Sequence, residues 1–374
     1  MKILLIGEYS NVHNTLAEGL RMLGHEVTVA SNGDYWKNYP RDIDLARRGG
    51  KLGGLALLAK VYKWLPKWRN YDVVQLINPV FLDLKAERLF PIYRYLKKHN
   101  KRLVLGAMGI DWYWVHGGTF RKPLRYSDFN MGDTNRTDDA AKREQDDWLN
   151  TAKERLNRLI AEECDGIAAI LYENYVYYEP YHSEKLQYIP LPIKFTGNTN
   201  PPCTNDSVSP IKVFIGISKG RSAYKGTDIM LKAAEAVKQK YPDRIELLKA
   251  EGVPFDEYQH MMDSSDIIMD QLYSYTPAMN ALLAMSKGII CMGGGEPEHY
   301  EFIGEKELRP VINVEPSFES VFHELEQLVL HPERIPVLKE QSVAYVRKHH
   351  DYLNVAKQYI EFYQSIKKES CPDR

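Results

Sequence analysis

The stretch that most restricts the architecture runs from Asp266 to Tyr300 (DIIMDQLYSYTPAMNALLAMSKGIICMGGGEPEHY). The apolar run Ile267 to Leu272 has the length of a buried strand. A loop follows, then helical spacing near Pro277 to Lys287, a second apolar run from Ile289 to Met292, and three glycines before Glu296 and Glu298. A helix between two neighbouring strands of one sheet makes those strands parallel. The helix N-terminus and the glycine loop then fall on one edge of that sheet, where phosphates bind. The segment commits the chain to α/β layers and points to an anionic ligand.

The first thirty residues repeat the pattern. Lys2 to Ile6 is an apolar run ending at Gly7, and a polar loop, Glu8 to Asn14, follows. Leu16, Leu20 and Leu23 share one face of a helix closed by Gly24, and His25 to Ala30 reads as the next strand. The turn lacks G-x-G-x-x-G, so a nicotinamide dinucleotide is not supported. Further strands are expected at Tyr71–Pro79, Arg102–Gly106 and Asp165–Ile170, with helices over 81–99 and 147–163. A chain of 374 residues is long for one core and comfortable for two. The Asn-, Pro- and Thr-rich run Thr196–Ser209 marks the boundary. The sequence thus divides into residues 1–195, a linker at 196–209, a second sheet domain at 210–350, and a tail helix within 351–374.

Lysine and arginine (49) nearly cancel aspartate and glutamate (50), which weighs against nucleic acid as a partner. Tyrosine is frequent at 25 residues. Its ring stacks on the apolar face of a sugar and its hydroxyl bonds the edge, although strand edges and interfaces use tyrosine equally well. Cys164, Cys203, Cys291 and Cys371 show no paired spacing, so neither a metal site nor a disulfide frame is expected. The opening apolar run is too short for a signal peptide, and no stretch approaches a membrane span. A cytoplasmic protein follows from these features, with no metal or cofactor.

Several residues are candidates for chemistry. His13 and Glu8 lie in the loop after the first strand, placed for general-base work or for capping and lining the next helix. Asp111, after a strand end, is a reaction-centre candidate or a helix N-cap. Lys219, Gly220, Arg221, Lys225 and Gly226 stand between a strand and a helix; three cations and two glycines there make an anion-binding loop or a solvated one. Two segments read as insertions. Residues 117–150 are polar and weakly periodic, a solvated insertion or a substrate lid. Residues 45–69 mix Arg47, Arg48, Lys51, Lys60, Lys63, Lys67 and Arg69 with leucines and tryptophans, as in a helix lying on an anionic bilayer or a core helix with a basic face.

The run LAEGLRMLGHEVTVAS resembles the opening of GT-B glycosyltransferases, and Asp165-Gly166-Ile167-Ala168 followed by Ile189-Pro190-Leu191-Pro192 resembles the close of their first domain. Lys225-Gly226 is similar to a diphosphate-binding element of the retaining family-4 members. The likeness covers nearly the whole chain. It implies two Rossmann-like doubly wound parallel-sheet domains facing across a cleft, with the tail helix crossing back to the first. The implied activity moves a sugar from a nucleotide-sugar donor to a hydroxyl of a glycan or lipid-linked acceptor, without a metal. It implies Gly216, Lys219, Arg221, Lys225, Gly226, Tyr275, Asn280, Gly294, Gly295, Glu296 and Glu298 as the donor site, with His13, Glu8 and Asp111 at the chemistry. The chain departs from the family-4 pattern at Met108, Ile217, Tyr275 and Leu283, the last two standing where the paired glutamates are expected. Family likeness favours retention of configuration, whereas His13 as base favours inversion. A sugar-nucleotide 2-epimerase and a non-catalytic binding or assembly protein remain as alternatives.

Overall fold

A computed structural model describes residues 1–195, 209–217, 220 and 222–366. The linker expected at 196–209 lies almost wholly outside them, as do Lys219, Arg221, Cys203 and Cys371. The chain forms two compact units. The first comprises Met1–Gly117, Glu144–Pro192 and residues from Tyr352 onward, and the second comprises Gly118–Arg143 and Ile193–Asp351.

The first unit opens with β1 (Lys2–Ile6), β2 (Glu26–Ser31), β3 (Ile43–Asp44), β4 (Val73–Leu76) and β5 (Leu103–Ala107). A hairpin of two short strands, β6 (Asn130–Met131) and β7 (Thr134–Asn135), then belongs to the second unit. β8 (Gly166–Ala169) and β9 (Leu186–Tyr188) complete the first sheet, in the order β3-β2-β1-β4-β5-β8-β9. Every pairing is parallel, with Leu5 between Val29 and Gln75. Its strands are near-continuous apolar runs because helices cover a parallel sheet on both faces. On one face Ile3, Leu5, Val104 and Ala168 meet Leu16 and Leu20 from the helix Val12–Met22 and Val355, Tyr359 and Tyr363 from the helix Tyr352–Ser365. The two helices come so close that a Cβ on Gly19 would stand 2.8 Å from the carbonyl oxygen of Tyr352. The tail helix is therefore an integral layer of the first unit.

The second unit contains β10 (Ile211–Ile217), β11 (Ile245–Glu251), β12 (Ile267–Met269), β13 (Ile290–Gly293) and β14 (Ile312–Asn313), ordered β11-β10-β12-β13-β14 and again parallel. Val213, Ile215, Ile267 and Ile290 pack with Met230 and Val237 of the helix Thr227–Lys240 and Leu325 of the helix Phe318–Leu330. β12 stops at Met269, short of the Leu272 expected from the apolar run, because the chain leaves the sheet and Leu272 donates its amide to the Lys225 carbonyl, at 2.9 Å. The segment assigned from sequence to the first domain as an insertion departs further. Residues 118–143 belong to the second unit and contain the β6–β7 hairpin and the start of the helix Asp139–Trp148.

In both sheets the chain first lays its second strand on one side of the first strand, then returns to the other side. Each sheet thus has a switch point, between β1 and β4 and between β10 and β12, and crevices for ligands open at the carboxyl ends of such strand pairs.

Candidate functional site

At the β1/β4 switch point the first unit encloses a cavity of about 310 Å³, lined by Glu8, Tyr35, Asn78, Trp148 and Lys153 among others. Glu8 is 2 % exposed. Its Oε1 accepts from the His13 amide at 3.2 Å and its Oε2 from the Asn14 amide at 2.8 Å. The N-cap residue Asn11 sits in the left-handed region without a side-chain cap, so Glu8 satisfies first-turn amides that would otherwise be orphaned. Burial nevertheless drives the Glu8 carboxyl up to about 8, against the pull of those amides. At neutral pH it is a neutral acid beside a polar cavity. Asn78 is spent on the turn: its Nδ2 donates to the Met108 and Ile110 carbonyls at 2.9 and 3.2 Å. Its Oδ1 accepts from Val80 at 3.0 Å.

His13 is placed differently from a general base. It is fully buried in the first turn of the helix Val12–Met22, with Nδ1 2.8 Å from the Gly7 carbonyl and Nε2 3.1 Å from Nε2 of Gln75. Gln75 in turn accepts from the Tyr363 hydroxyl at 2.7 Å. Burial lowers the imidazole to about 4, so the ring is neutral and both nitrogens are engaged. This is the helix-lining role. Asp111 likewise caps a helix. Its Oδ1 accepts from the Trp114 amide at 3.0 Å and its Oδ2 from the Tyr178 hydroxyl at 2.5 Å, and burial raises it to about 6. Asp111 is fully buried and is not among the residues lining the cavity.

The second unit gathers part of the expected donor set. Gly226, at φ 72°, is the N-cap of the helix Thr227–Lys240, and Lys225 precedes it. Lys225 and Gly226 lie against the chain just past β12, where the Lys225 carbonyl accepts from the Leu272 amide at 2.9 Å and a Cβ on Gly226 would stand 2.5 Å from the Leu272 side chain. Gly216, near the end of β10, leaves room for Tyr258, whose hydroxyl oxygen would lie 2.6 Å from a Cβ there. Asn280 donates to the same hydroxyl at 2.9 Å. Gly216, Asn280, Lys225 and Gly226 thus border the β10/β12 switch point.

The glycine run is used for packing. A Cβ on Gly294 would stand 1.8 Å from the Ser274 carbonyl oxygen, and the Gly295 amide donates to Asn313 Oδ1 at 3.0 Å. Glu296, 2 % exposed, is not open to a ribose. One carboxylate oxygen accepts from the Tyr126 hydroxyl and the other from the Arg125 guanidinium. Arg125 also reaches Glu298, with Nε donating at 3.2 Å, and its amide donates to the Tyr275 hydroxyl at 2.8 Å. Glu296, Glu298 and Tyr275 therefore anchor the segment 118–143, because a buried carboxylate needs a cation and donors that the sheet edge itself lacks. The same segment lays Arg136 3.6 Å over the Tyr273 ring and bonds its guanidinium to the Ala223 carbonyl at 2.8 Å. Arg125, Tyr126 and Arg136 escape sequence reading. Their partners lie about 90 to 170 residues away, and the one local signal is arginine and tyrosine in an otherwise solvated-looking run.

Among the described residues no group of three or more His, Cys, Asp or Glu is arranged to hold a metal ion. No protein-family model matches this sequence, and no curated protein matches it. Solved structures do. Sucrose-phosphate synthase from Thermosynechococcus elongatus aligns over 97% of this chain and 98% of its own, with TM-score 0.63 and 12% identity. The fold is GT-B. Anabaena HepE in complex with UDP and glucose aligns over 98% of this chain and 100% of its own, at TM-score 0.59 and 14% identity. UDP-GlcNAc 2-epimerase from Neisseria meningitidis, bound to UDP-GlcNAc, covers 96% and 99% at TM-score 0.54 and 13% identity. At such identities the likeness speaks for the GT-B fold and for no particular substrate.

Proposed function

We propose that this protein is a glycosyltransferase that moves a sugar from a nucleotide-sugar donor to a hydroxyl of a glycan or lipid-linked acceptor. The observation that carries the reading is the polar, aromatic-walled cavity at the β1/β4 switch point, with the neutral acid Glu8 beside it. Tyr35, exposed at the cavity wall, supplies a stacking surface for a sugar ring, and Lys153 supplies a donor for its hydroxyls. We assign the donor to the second unit, with Lys225 and the first amides of the helix Thr227–Lys240 as the groups that would hold its phosphates. In the reaction the bond from the anomeric carbon to the diphosphate oxygen breaks, and the diphosphate leaves with the electron pair. The acceptor oxygen bonds to that carbon and gives its proton to the departing diphosphate oxygen. Lys225 stabilises the charge growing on the diphosphate, so this step calls for no metal. The burial of His13 with both nitrogens engaged removes the residue that favoured inversion, which supports retention.

Calorimetry with UDP-, GDP-, ADP- and CMP-sugars tests the reading. One nucleotide is expected to bind, and Lys225→Ala to weaken it at least about tenfold, roughly 1.4 kcal/mol. Binding to none of them overturns it. The epimerase neighbour supports a second reading, distinguished by products: transfer releases a nucleoside diphosphate, whereas epimerisation returns an isomeric nucleotide sugar. A non-catalytic binding role, supported by Leu283 and by the engagement of Glu296, predicts binding with neither product.

A further inference from the structure

The helix Gly50–Trp64 in the first unit does not behave as a core helix. Of its fifteen residues it buries Gly53, Leu57 and Val61, a single narrow stripe. Leu52 is 82 % exposed, Leu55 59 % and Tyr62 49 %, and Ala56 and Ala59 are exposed between them. Positions 52, 55, 56, 59 and 62 follow the three-and-four spacing of one helix face, so the exposed residues form a continuous apolar ridge. Aliphatic and aromatic surface of this extent is normally covered by something. Nearby, the turn Tyr35–Lys37 exposes Tyr35 at 64 % and Trp36 at 70 %, and Tyr35 shares the cavity wall with Leu45 and Asp83.

Charge decides what covers the ridge. Residues 45–69 carry seven cations and no acidic residue, in a chain whose net charge is −1. Arg47 pairs with Asp83 at 3.3 Å and Lys60 lies 3.6 Å from Asp44. Arg48, Lys51, Lys63 and Arg69 make no ion pair among the described residues. A second copy docking through this face about a two-fold axis would set these cations against their own counterparts. A convex ridge of leucines with amphipathic aromatics beside it and lysines at its borders matches the layered chemistry of a bilayer surface: acyl boundary, headgroup level, anionic phosphate.

We propose that the ridge Leu52–Leu55–Tyr62, bordered by Arg48, Lys51 and Lys63, is a docking surface for an anionic lipid bilayer. The helix lies in the interface plane with Leu52 and Leu55 among the acyl chains and the cations at the phosphates. The proposal does not depend on glycosyl transfer, and its test reads no activity.

The test is co-sedimentation of the full chain with vesicles of mixed phosphatidylglycerol and phosphatidylcholine, and with vesicles of phosphatidylcholine alone. Binding is expected to the mixed vesicles and to weaken at least about tenfold on the neutral ones or in about 0.5 M salt. Leu52→Asp with Leu55→Asp, and separately Lys51→Glu with Lys63→Glu, are each expected to cut it by at least about tenfold. All four side chains are solvent-exposed, so circular dichroism and thermal transitions of both variants should match the parent. Absence of binding to the mixed vesicles overturns the proposal, as does binding that survives either pair of substitutions. Light scattering covers the rival occupant: a dimer that Leu52→Asp converts to monomer, with no vesicle binding, assigns the ridge to a second copy.

Discussion

Glu8 and His13 sit five residues apart in one loop and helix turn, and burial moves them in opposite directions, to about 8 and about 4. For Glu8 the folded value lies above the ordinary 4.5, so between about pH 4.5 and 8 the folded state keeps a proton that the unfolded chain has released. Its contribution to stability is present below that window and lost as pH rises through it. Glu8→Gln cannot ionise. The parent should therefore lose on the order of 1–4 kcal/mol relative to the variant between pH 5 and pH 8, read from urea unfolding at the two values. An offset that does not change with pH would return Glu8 to the normal carboxylate range. Neither residue's environment was legible in the sequence. A polar loop after a buried strand advertises chemistry, but whether its histidine faces solvent or Gln75 depends on a strand sixty residues away.

The regular elements were legible because their signals are local. An apolar run that ends at a glycine makes β1, leucines at three- and four-residue spacing make the helix after it, and the order of elements makes the sheet parallel. The segment 118–143 was not, since its structure comes from Glu296, Glu298, Tyr273 and Tyr275 rather than from its own periodicity. Arg125 is the latch. Its side chain is 52 % exposed while that of Glu296 is 2 % exposed, so removing the guanidinium leaves a buried carboxylate with the Tyr126 hydroxyl and little else to balance it. Arg125→Ala should destabilise the second unit by roughly 1–3 kcal/mol, less than for a fully buried pair because the arginine is half in water. Denaturant unfolding gives the magnitude, and hydrogen exchange should speed up first in the β6–β7 hairpin. Unchanged stability and exchange would mean that the hairpin holds itself.

At the scale of the whole molecule, the helix Tyr352–Ser365 supplies Val355, Ala356, Tyr359 and Tyr363 to the first unit's core, all fully buried. Each large side chain among them contributes about 1.5–3 kcal/mol of burial, and together they rival a typical domain's 5–15 kcal/mol. A chain ended at Asp351 should therefore lose the first unit's cooperative transition and aggregate through the uncovered face of the helix Val12–Met22. A soluble product with its thermal transition intact would show that the layer is dispensable. The two units are also interleaved along the chain: the first lends residues 118–143 to the second and waits for residues beyond 351 to be completed. Nascent chains generally fold one domain at a time, earliest first. Of the two units, the one that begins earlier along this sequence is completed later, so during synthesis its sheet keeps one side covered by the helix Val12–Met22 alone until the second unit has been made, a long interval of exposure for a chaperone to guard.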